Sequence, residues 1–306
     1  MKEAVLQLRN VTKSIGKRTI VNDLSFDIPA GEVFGFLGPN GAGKTTTIRM
    51  IVGLISMTKG EVLVKGISVR KHFEHAMTHI GAIVENPEMY KFLTGYQNLV
   101  HFARRHSNVT KQRIDEVVQL LGLQNRIHEK VKRYSLGMRQ RLGVAQAILH
   151  KPSVLILDEP TNGLDPAGIR ELRDYLRRLT QEEGLSVIVS SHLLSEMELM
   201  CDRVAIIQGG KLIDVRSLQE AKSELQSKIV IEVNDTDSAF QLLSGAFDGQ
   251  KASLSGNRIE IIADRSLIPN IARLLVKAEI DIYGIHATQK SLEDQFLEMT
   301  GGEMIV

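Results

Sequence analysis

The first part of the chain, up to about residue 68, consists of short apolar runs separated by turns. These runs are rich in β-branched and aromatic residues, so they predict β-strands over residues 5–11, 20–28, 33–37 and 61–64. The Pro-Ala-Gly sequence at residues 29–31 predicts a turn between two of them. Apolar spacing predicts a helix over residues 45–53, between the last two strands.

Helical spacing dominates the next part, about residues 88–150. Ile114, Val117, Val118 and Leu121 fall on one helical face, and Gly122 follows as a helix stop. Apolar runs at residues 154–157 and 187–189 then alternate with a predicted helix over residues 166–179, which indicates parallel strands buried on both faces. The pattern therefore predicts an α/β core with a β-rich part before it and a helical insertion.

A different pattern begins after residue 218. Predicted strands cover residues 228–233, 251–254, 258–262 and 281–286, and predicted helices cover residues 238–243 and 267–278. The order β-α-β-β-α-β is that of a small α+β, ferredoxin-like domain. We therefore expect two domains, residues 1–218 and 223–306. The second shows no grouping of catalytic residue types, so we expect it to serve in packing, dimer contact or regulation.

Composition and charge fit a folded protein that lies in a reducing compartment. Of 306 residues, 43% are hydrophobic and 24% charged, as in globular proteins. Cys201 is the only cysteine, the chain start lacks a signal-peptide core, and no apolar run reaches the roughly 18 residues of a spanning helix. We therefore expect a cytoplasmic location and any membrane role to depend on a partner.

Charge is unevenly distributed although the net charge is only +2. From Ser223 onward there are 7 Lys and Arg against 13 Asp and Glu, whereas the preceding part has 31 against 23. The basic part either favours anionic ligands and lipid headgroups or is an ordinary solvated surface. The net charge is too small to indicate a nucleic-acid partner.

A phosphate-binding pattern follows the strand predicted at residues 33–37. It runs Gly38, Pro39, Asn40, Gly41, Ala42, Gly43, Lys44 and Thr45, with Thr46 directly after it. Glycines let backbone N–H groups point inward, and the helix N-terminus adds positive potential, so the loop suits a polyphosphate. Lys44 would contact the β- and γ-phosphates, and Thr45 would bind Mg²⁺. The alternative is a glycine-rich turn with an exposed lysine, but the flanking strand and helix favour phosphate binding.

Polar side chains also follow two other buried strands. Asp158 and Glu159 come after the run at 154–157, and His192 comes shortly after the run at 187–189. In parallel sheets ligands bind beyond the carboxyl ends of the strands. Asp158 would hold Mg²⁺ through water, and Glu159 would orient or deprotonate the attacking water. Alternatively, the two acids form a solvated strand end and His192 is structural.

With these motifs the sequence resembles the ATP-binding cassette ATPases over about residues 4–216. Residues 134–141 take the place of the family signature, of which Ser135 and Gly137 match, although Ser135 could also simply cap the following helix. Residues 162–165 resemble the loop that crosses between subunits, with Asp165 as the matching acid. The resemblance implies a P-loop NTPase cassette with a RecA-like α/β core, a β-rich subdomain and a helical subdomain.

The same resemblance implies a homodimer with two ATP molecules at its interface. ATP on one phosphate loop would be covered by Ser135 and Gly137 of the other subunit, with Mg²⁺ at each site, and hydrolysis would separate the cassettes. The motion would pass to a separate transmembrane permease through the groove around residues 85–98. This implies a transport-coupled ATPase at the cytoplasmic face of the membrane.

Two positions depart from the family pattern. Ile15 stands where an aromatic residue generally stacks on adenine, which leaves the preference for adenine over guanine open. Glu85 replaces the usual glutamine, so it is a candidate catalytic and Mg²⁺-binding residue, or else a solvent-facing loop acid.

Residues 85–87, residues 93–99 and the divergent signature at residues 134–141 resemble the bacitracin-export and lantibiotic self-immunity branch. The ending at residues 291–297 is similar to that of many cassettes of this export class. That likeness implies export of a drug or antimicrobial peptide. Alternatives are a soluble cassette acting on ribosomes or nucleic acid, and a P-loop kinase or GTPase. The single cassette, the single cysteine and the lack of a long heptad run argue against the first alternative. Ser135, Gly137, residues 162–165 and the absence of an Asn-Lys-x-Asp guanine reader argue against the second.

Overall fold

The computed structural model describes residues 3–223, 227–247, 252–256, 258–289, 292, 293 and 296. The chain divides into two compact units, Met1–Gln219 and Glu220–Gly302. Among the described residues, no helix has the length and apolar character needed to cross a membrane. Of the ending at residues 291–297, only Leu292, Glu293 and Phe296 are described.

The first unit begins with an antiparallel sheet. Its strands are β1 (Ala4–Ile15), β2 (Arg18–Pro29), β4 (Lys59–Val64) and β5 (Ile67–Ser68), in the order β2-β1-β4-β5. Gly16 and Lys17 connect β1 to β2, and Gly16 takes a φ of +58°, which a tight hairpin favours.

A six-stranded sheet forms the centre of the first unit. It contains β3 (Val33–Leu37), β6 (Ile80–Ile83), β7 (Val154–Leu157), β8 (Ser186–Ser191), β9 (Arg203–Gln208) and β10 (Lys211–Ser217). The order is β10-β9-β3-β8-β7-β6, with all neighbours parallel except β10 and β9. Every residue of β3, β7 and β8 is buried, which confirms the predicted α/β core with strands covered on both faces.

Helices of the first unit connect and cover these strands. They are α1 (Lys44–Ile51), α2 (Phe73–Met77), α3 (Gly95–Ala103), α4 (Lys111–Leu120), α5 (Leu136–Ile148), α6 (Pro166–Glu182) and α7 (Leu194–Met200). A 3₁₀ turn, Val131–Arg133, precedes α5, and α8 (Leu218–Ser223) follows β10. Thus α3, α4 and α5 form the helical insertion that the apolar spacing predicts.

The two sheets of the first unit share one hydrophobic core. Phe26 from β2 stacks on Phe34 of β3 with ring centroids 5.9 Å apart, and Phe36 meets both rings edge-on. Aliphatic side chains from both sheets and from α1 fill the rest of this core. The packing fixes the β1–β2 hairpin beside the carboxyl end of β3, where the phosphate-binding pattern begins.

The second unit has the predicted ferredoxin-like topology. Its elements are β11 (Ser227–Val233), α9 (Thr236–Ala246), β12 (Ala252–Ser255), β13 (Arg258–Ile262), a 3₁₀ turn (Arg265–Leu267), α10 (Ile268–Lys277) and β14 (Ile282–Gln289). The antiparallel order β12-β13-β11-β14 places the first strand between the third and the fourth, as the split βαβ arrangement requires. Alternate residues of β11 and β13 pack against α9 and α10.

The apolar pattern does not predict three strands of the central sheet, β6, β9 and β10. In β6, Gly81 interrupts the apolar run, yet glycine is needed there because a Cβ would overlap the carbonyl oxygen of Ala147. Strand β10 is only half-buried at the edge of the sheet, so its pattern is weak.

Candidate functional site

Three polar segments meet at the carboxyl ends of neighbouring strands β3, β8 and β7. The phosphate loop follows β3, His192 follows β8, and Asp158 and Glu159 follow β7. Parallel strands point their carboxyl ends to one edge, so the sheet order brings together segments that are distant in sequence.

Backbone geometry of the phosphate loop requires its glycines. Gly41 and Gly43 have φ values of +81° and +104°, and a Cβ on Gly38 would overlap the carbonyl oxygen of Ile207. The amide of Ala42 donates to the carbonyl of Pro39 at 3.1 Å, which closes the loop. Since α1 begins at Lys44, its free N–H groups point towards the space that the loop encloses.

Lys44 is the buried cation of the site. Its Nζ donates to the carbonyl oxygen of Gly38 at 2.7 Å and lies 3.4 Å from Glu159 Oε1. Burial lowers the pKa of the Lys44 ammonium below its ordinary value, whereas the negative charge of Glu159 opposes that shift. The loop therefore presents a positive charge that is already oriented by hydrogen bonds.

Thr45, Asp158 and Ser190 form a chain of hydrogen bonds. Thr45 Oγ1 donates to Asp158 Oδ1 at 3.2 Å, and Ser190 Oγ donates to the same oxygen at 2.6 Å. A hydroxyl and one carboxylate are oxygen ligands of the kind that Mg²⁺ accepts when a nucleotide supplies further oxygens. No group of three or more His, Cys, Asp or Glu side chains that could by themselves hold a metal ion occurs in the described part of the chain, and a nucleotide-bound Mg²⁺ does not require one.

Glu159 is held from three sides. Its backbone, at a φ of +46°, donates its N–H to Ser190 Oγ at 2.8 Å. Its Oε2 lies 3.0 Å from His192 Nδ1, and its Oε1 faces Lys44. The structure thus brings the predicted catalytic pair Glu159 and His192 into direct contact beside the phosphate loop.

A cavity of about 490 Å³ lies over these groups. Its walls combine the predicted loop with residues from other segments: Arg18, Ile20, Asn40, Gly41, Ala42, Gly43, Lys44, Thr45, Thr46, Glu159, Asn162 and His192. Asp158, only 3% exposed, lies beneath this surface. The volume and the mixed charged and apolar lining suit a nucleoside polyphosphate.

Arg18, Ile20 and Ser190 belong to this site in addition to the residues that the motifs predict. Arg18 and Ile20 lie on β2. No sequence motif marks them, because only the packing of the hairpin brings them to the cavity. Ser190 did have a signal, since it is the first hydroxyl residue at the end of an apolar strand.

Ser135, Gly137 and Asp165 are not among the residues that line the cavity. Ser135 caps α5, where its Oγ accepts from Met138 N at 3.2 Å, and Asp165 caps α6, accepting from Gly168 N at 2.7 Å. The start of α5 lies beside the 162–165 loop: a Cβ built on Gly137 would lie 3.8 Å from the Leu164 side chain. Gly137 and Leu164 are therefore neighbours, although they belong to different segments of the chain.

Glu85 and Ile15 also lie apart from the cavity lining. The Glu85 side chain is 63% exposed and pairs with Arg49 of α1, and its backbone φ is +67°. A second cavity of about 450 Å³ lies beside it, lined by residues of β6, α3, α5 and the segment that follows Glu85. Ile15 is 60% exposed and pairs with Arg18 across the hairpin.

Comparison with known proteins shows strong similarities over this region and beyond. The sequence matches the ABC transporter family over residues 21–162. It is 59% identical over 300 residues to YhcH of Bacillus subtilis (strain 168), an uncharacterized ABC transporter ATP-binding protein, covering 98% of this chain and 97% of YhcH. It is 38% identical over 302 residues to the bacitracin transport ATP-binding protein BcrA of Bacillus licheniformis, covering 98% and 99% of the two chains.

A similar fold occurs among solved structures. The structure of cbiO1 from Clostridium perfringens, part of the ABC transporter complex cbiONQ, superposes with a TM-score of 0.67 at 25% identity. The match covers 73% of this chain and 92% of that one. These similarities agree with the cassette expected from the motifs.

Proposed function

Because this chain belongs to the family of ABC transporter ATP-binding proteins and is an ATPase of that family, we propose that it powers an exporter of a drug or antimicrobial peptide. The support for export is the 38% identity, over nearly the whole of both chains, to a bacitracin transport protein. This similarity favours transport over the alternative of a soluble cassette that acts on ribosomes or nucleic acid.

The observation that supports ATP hydrolysis at this site is the contact of Lys44 and His192 with the two carboxylate oxygens of Glu159, beside the cavity. Lys44 would bind the β- and γ-phosphates of ATP. Glu159 would accept the proton of the attacking water, and His192 would orient that carboxylate and contact the γ-phosphate.

Thr45 and Asp158 would hold Mg²⁺, directly through the hydroxyl and through water at the carboxylate. When bound, the ion neutralises negative charge on the phosphate oxygens. Ser190 keeps Asp158 in place by donating to Oδ1 at 2.6 Å, so this carboxylate stays turned towards Thr45. Glu85 is retained as a candidate further ligand, which would have to leave its ion pair with Arg49.

Each site would be completed by a second copy of the chain. The cavity lies open beside the phosphate loop, whereas Ser135, Gly137 and Asp165 are not among the residues that line it. The N-terminus of α5, capped by Ser135, could accept the γ-phosphate of the other subunit's ATP. Two ATP molecules would then join two cassettes, and hydrolysis would release them.

The permease would be a separate transmembrane protein that holds this subunit at the cytoplasmic face of the membrane. The 450 Å³ groove beside Glu85 would receive a segment of that partner, since it is open and lined by apolar and polar side chains alike. Residues 223–306 would form an accessory or regulatory domain.

Mixing two inactive variants tests the shared site. Lys44→Ala removes phosphate binding, and Ser135→Arg blocks the opposite surface, so neither homodimer should hydrolyse ATP. A mixed dimer retains one intact site, formed by Lys44 of one subunit and Ser135 of the other, so a 1:1 mixture should recover about a quarter of wild-type activity. No recovery, although each variant binds to wild-type chain, would contradict the shared site.

Copurification tests the membrane partner. The native protein, extracted in a mild detergent, should be accompanied by a protein with many membrane spans, and Lys44→Ala should not change this association because docking does not require ATP hydrolysis. A protein that stays wholly soluble and is never accompanied by such a partner would contradict the role in transport while leaving the ATPase intact.

A further inference from the structure

Glu196 of α7 accepts two hydroxyl hydrogen bonds on a single carboxylate oxygen. Ser191 Oγ donates to Glu196 Oε2 at 2.6 Å, and Thr161 Oγ1 donates to the same atom at 2.7 Å. The two hydroxyl residues are 0% and 3% exposed. Short bonds from hydroxyls to a carboxylate are charge-assisted and stronger than bonds between neutral groups, so Glu196 joins these two residues firmly.

The two hydroxyls belong to different functional segments. Ser191 is the last residue of β8 and directly precedes His192, and its Oγ also accepts from Leu193 N at 3.0 Å. Thr161 lies two residues after Glu159, and its carbonyl oxygen accepts from Leu164 N at 3.0 Å. Glu196 thus connects the turn around His192 to the loop that leads from Glu159 to Asp165.

We propose that Glu196 is a positioning residue that couples the nucleotide site to the loop at residues 161–165. Glu196 does not line the ATP cavity, so it acts through Ser191 and Thr161. A change at the γ-phosphate near His192 would move Ser191, and through Glu196 it would move Thr161 and the loop that ends at Asp165. This inference rests on the proposed function, in which that loop faces the second subunit.

A purely structural role is the competing explanation. Glu196 lies in the first turn of α7, where a negative charge favours the positive end of the helix. On that explanation, loss of the carboxylate lowers the stability of the protein but leaves the turnover of folded enzyme unchanged. The two explanations therefore predict different kcat values for a variant that lacks the Glu196 carboxylate.

Steady-state ATPase assays on the full chain separate them. Glu196→Ala should lower kcat by about 10- to 100-fold while the dissociation constant of ATP changes by less than about 2-fold, because binding contacts remain and only the positioning of reacting groups is lost. Glu196→Gln should recover much of this loss, since its amide oxygen still accepts hydrogen bonds. Ser195→Ala, an exposed change on the same helix, is the control and should leave both values unchanged.

A double-mutant cycle with Thr161→Val tests the route. If Glu196 acts through Thr161, Thr161→Val should lower kcat on its own, and adding it to Glu196→Ala should have little further effect. A folded Glu196→Ala protein with wild-type kcat, or fully multiplicative losses in the double variant, would overturn the inference. Should Glu196→Ala not fold, a folded Thr161→Val protein with a wild-type kcat overturns the inference equally, because that variant removes the hydrogen bond to Glu196 through which the loop would be coupled.

Wild type and Lys44→Ala are assayed in the same series. Absence of ATPase activity in wild type, or full activity in Lys44→Ala, would contradict the proposed site itself. Normal behaviour of these two proteins together with an unaffected Glu196→Ala would contradict only the role of Glu196.

Discussion

Lys44 Nζ lies 3.4 Å from Glu159 Oε1, so the cation proposed to bind phosphate and the proposed general base are adjacent in one site. Lys44 also donates to Gly38 at 2.7 Å, which ties it to the loop, while Glu159 is tied to β8 through Ser190. The approach of phosphate to Lys44 and of water to Glu159 would therefore take place within one hydrogen-bonded network.

Glu159→Gln should separate binding from hydrolysis. The amide keeps the size of the side chain and a hydrogen-bond acceptor, so ATP binding should remain, but the group no longer accepts a proton. Phosphate release should fall at least about 100-fold, and light scattering should show a dimer that persists with ATP. Glu182→Gln, an exposed change at the last residue of α6, is the control. Unimpaired turnover in Glu159→Gln would remove Glu159 from its role.

Glu85→Gln should change the dependence of ATPase activity on Mg²⁺. If the carboxylate contributes to ion binding, the Mg²⁺ concentration for half-maximal activity should rise about 2- to 5-fold. Arg49→Gln removes the ion pair with Glu85 but keeps the carboxylate, so it should not raise that concentration. Equal effects of both variants would mean that Glu85 acts only through Arg49, and no effect of either would make Glu85 an ordinary loop acid.

Ile15→Tyr should tighten ATP binding. Ile15 is 60% exposed and pairs with Arg18, which lines the cavity, so an aromatic ring there could stack on the base. Stacking contributes about 1–3 kcal/mol in single-strand binders, which corresponds to a Kd for ATP lower by about 5-fold or more. Ile15→Val is the matched control. Titration with ATP and GTP gives the base preference, and an unchanged Kd for ATP would show that the ring does not reach the base.

Acid should destabilise the protein through His150. Burial lowers the pKa of His150 below its ordinary value, and the stacked ring of His106, 4.6 Å away between centroids, shifts it in the same direction. Below the unfolded-state pKa of about 6.5, His150 binds a proton in the unfolded chain but stays neutral in the folded chain. The free energy of unfolding therefore falls as the pH drops below about 6.5. Above that pKa the His150 side chain is neutral in both the folded and the unfolded chain.

Urea unfolding of wild type and His150→Gln at pH 7.5 and 5.5 measures this contribution. The stability of wild type relative to the variant should fall at the lower pH, by less than about 1 kcal/mol because the ring is partly exposed to screening solvent. His106→Gln should reduce that fall, since it removes the second histidine from the pair. If the free energies of unfolding of wild type and His150→Gln change equally between pH 7.5 and 5.5, His150 is not the source of the acid sensitivity.

Local sequence determined most of the elements of this protein and most of the groups proposed to act in its site. The phosphate loop, the two acids after β7 and the order of elements in the second unit depend on neighbours within one segment, through glycine conformation, apolar periodicity and turn chemistry. Strand β6 could not be assigned in this way, because the need for Gly81 arises from the carbonyl of Ala147, which lies far along the chain.

The contacts between segments were decided only by the tertiary structure. Thr45 and Asp158 are 113 residues apart in the sequence, and they meet because only β8 separates β3 from β7 in the sheet. Because β8 and β7 are neighbours, Glu196 can also accept hydrogen bonds from both Ser191 and Thr161. Packing of Phe26 on Phe34 and Phe36 likewise fixes the hairpin that brings Arg18 to the cavity. A pattern of residues along the chain records which face of a strand is buried, whereas the pairing of strands depends on the packing energy of the whole unit.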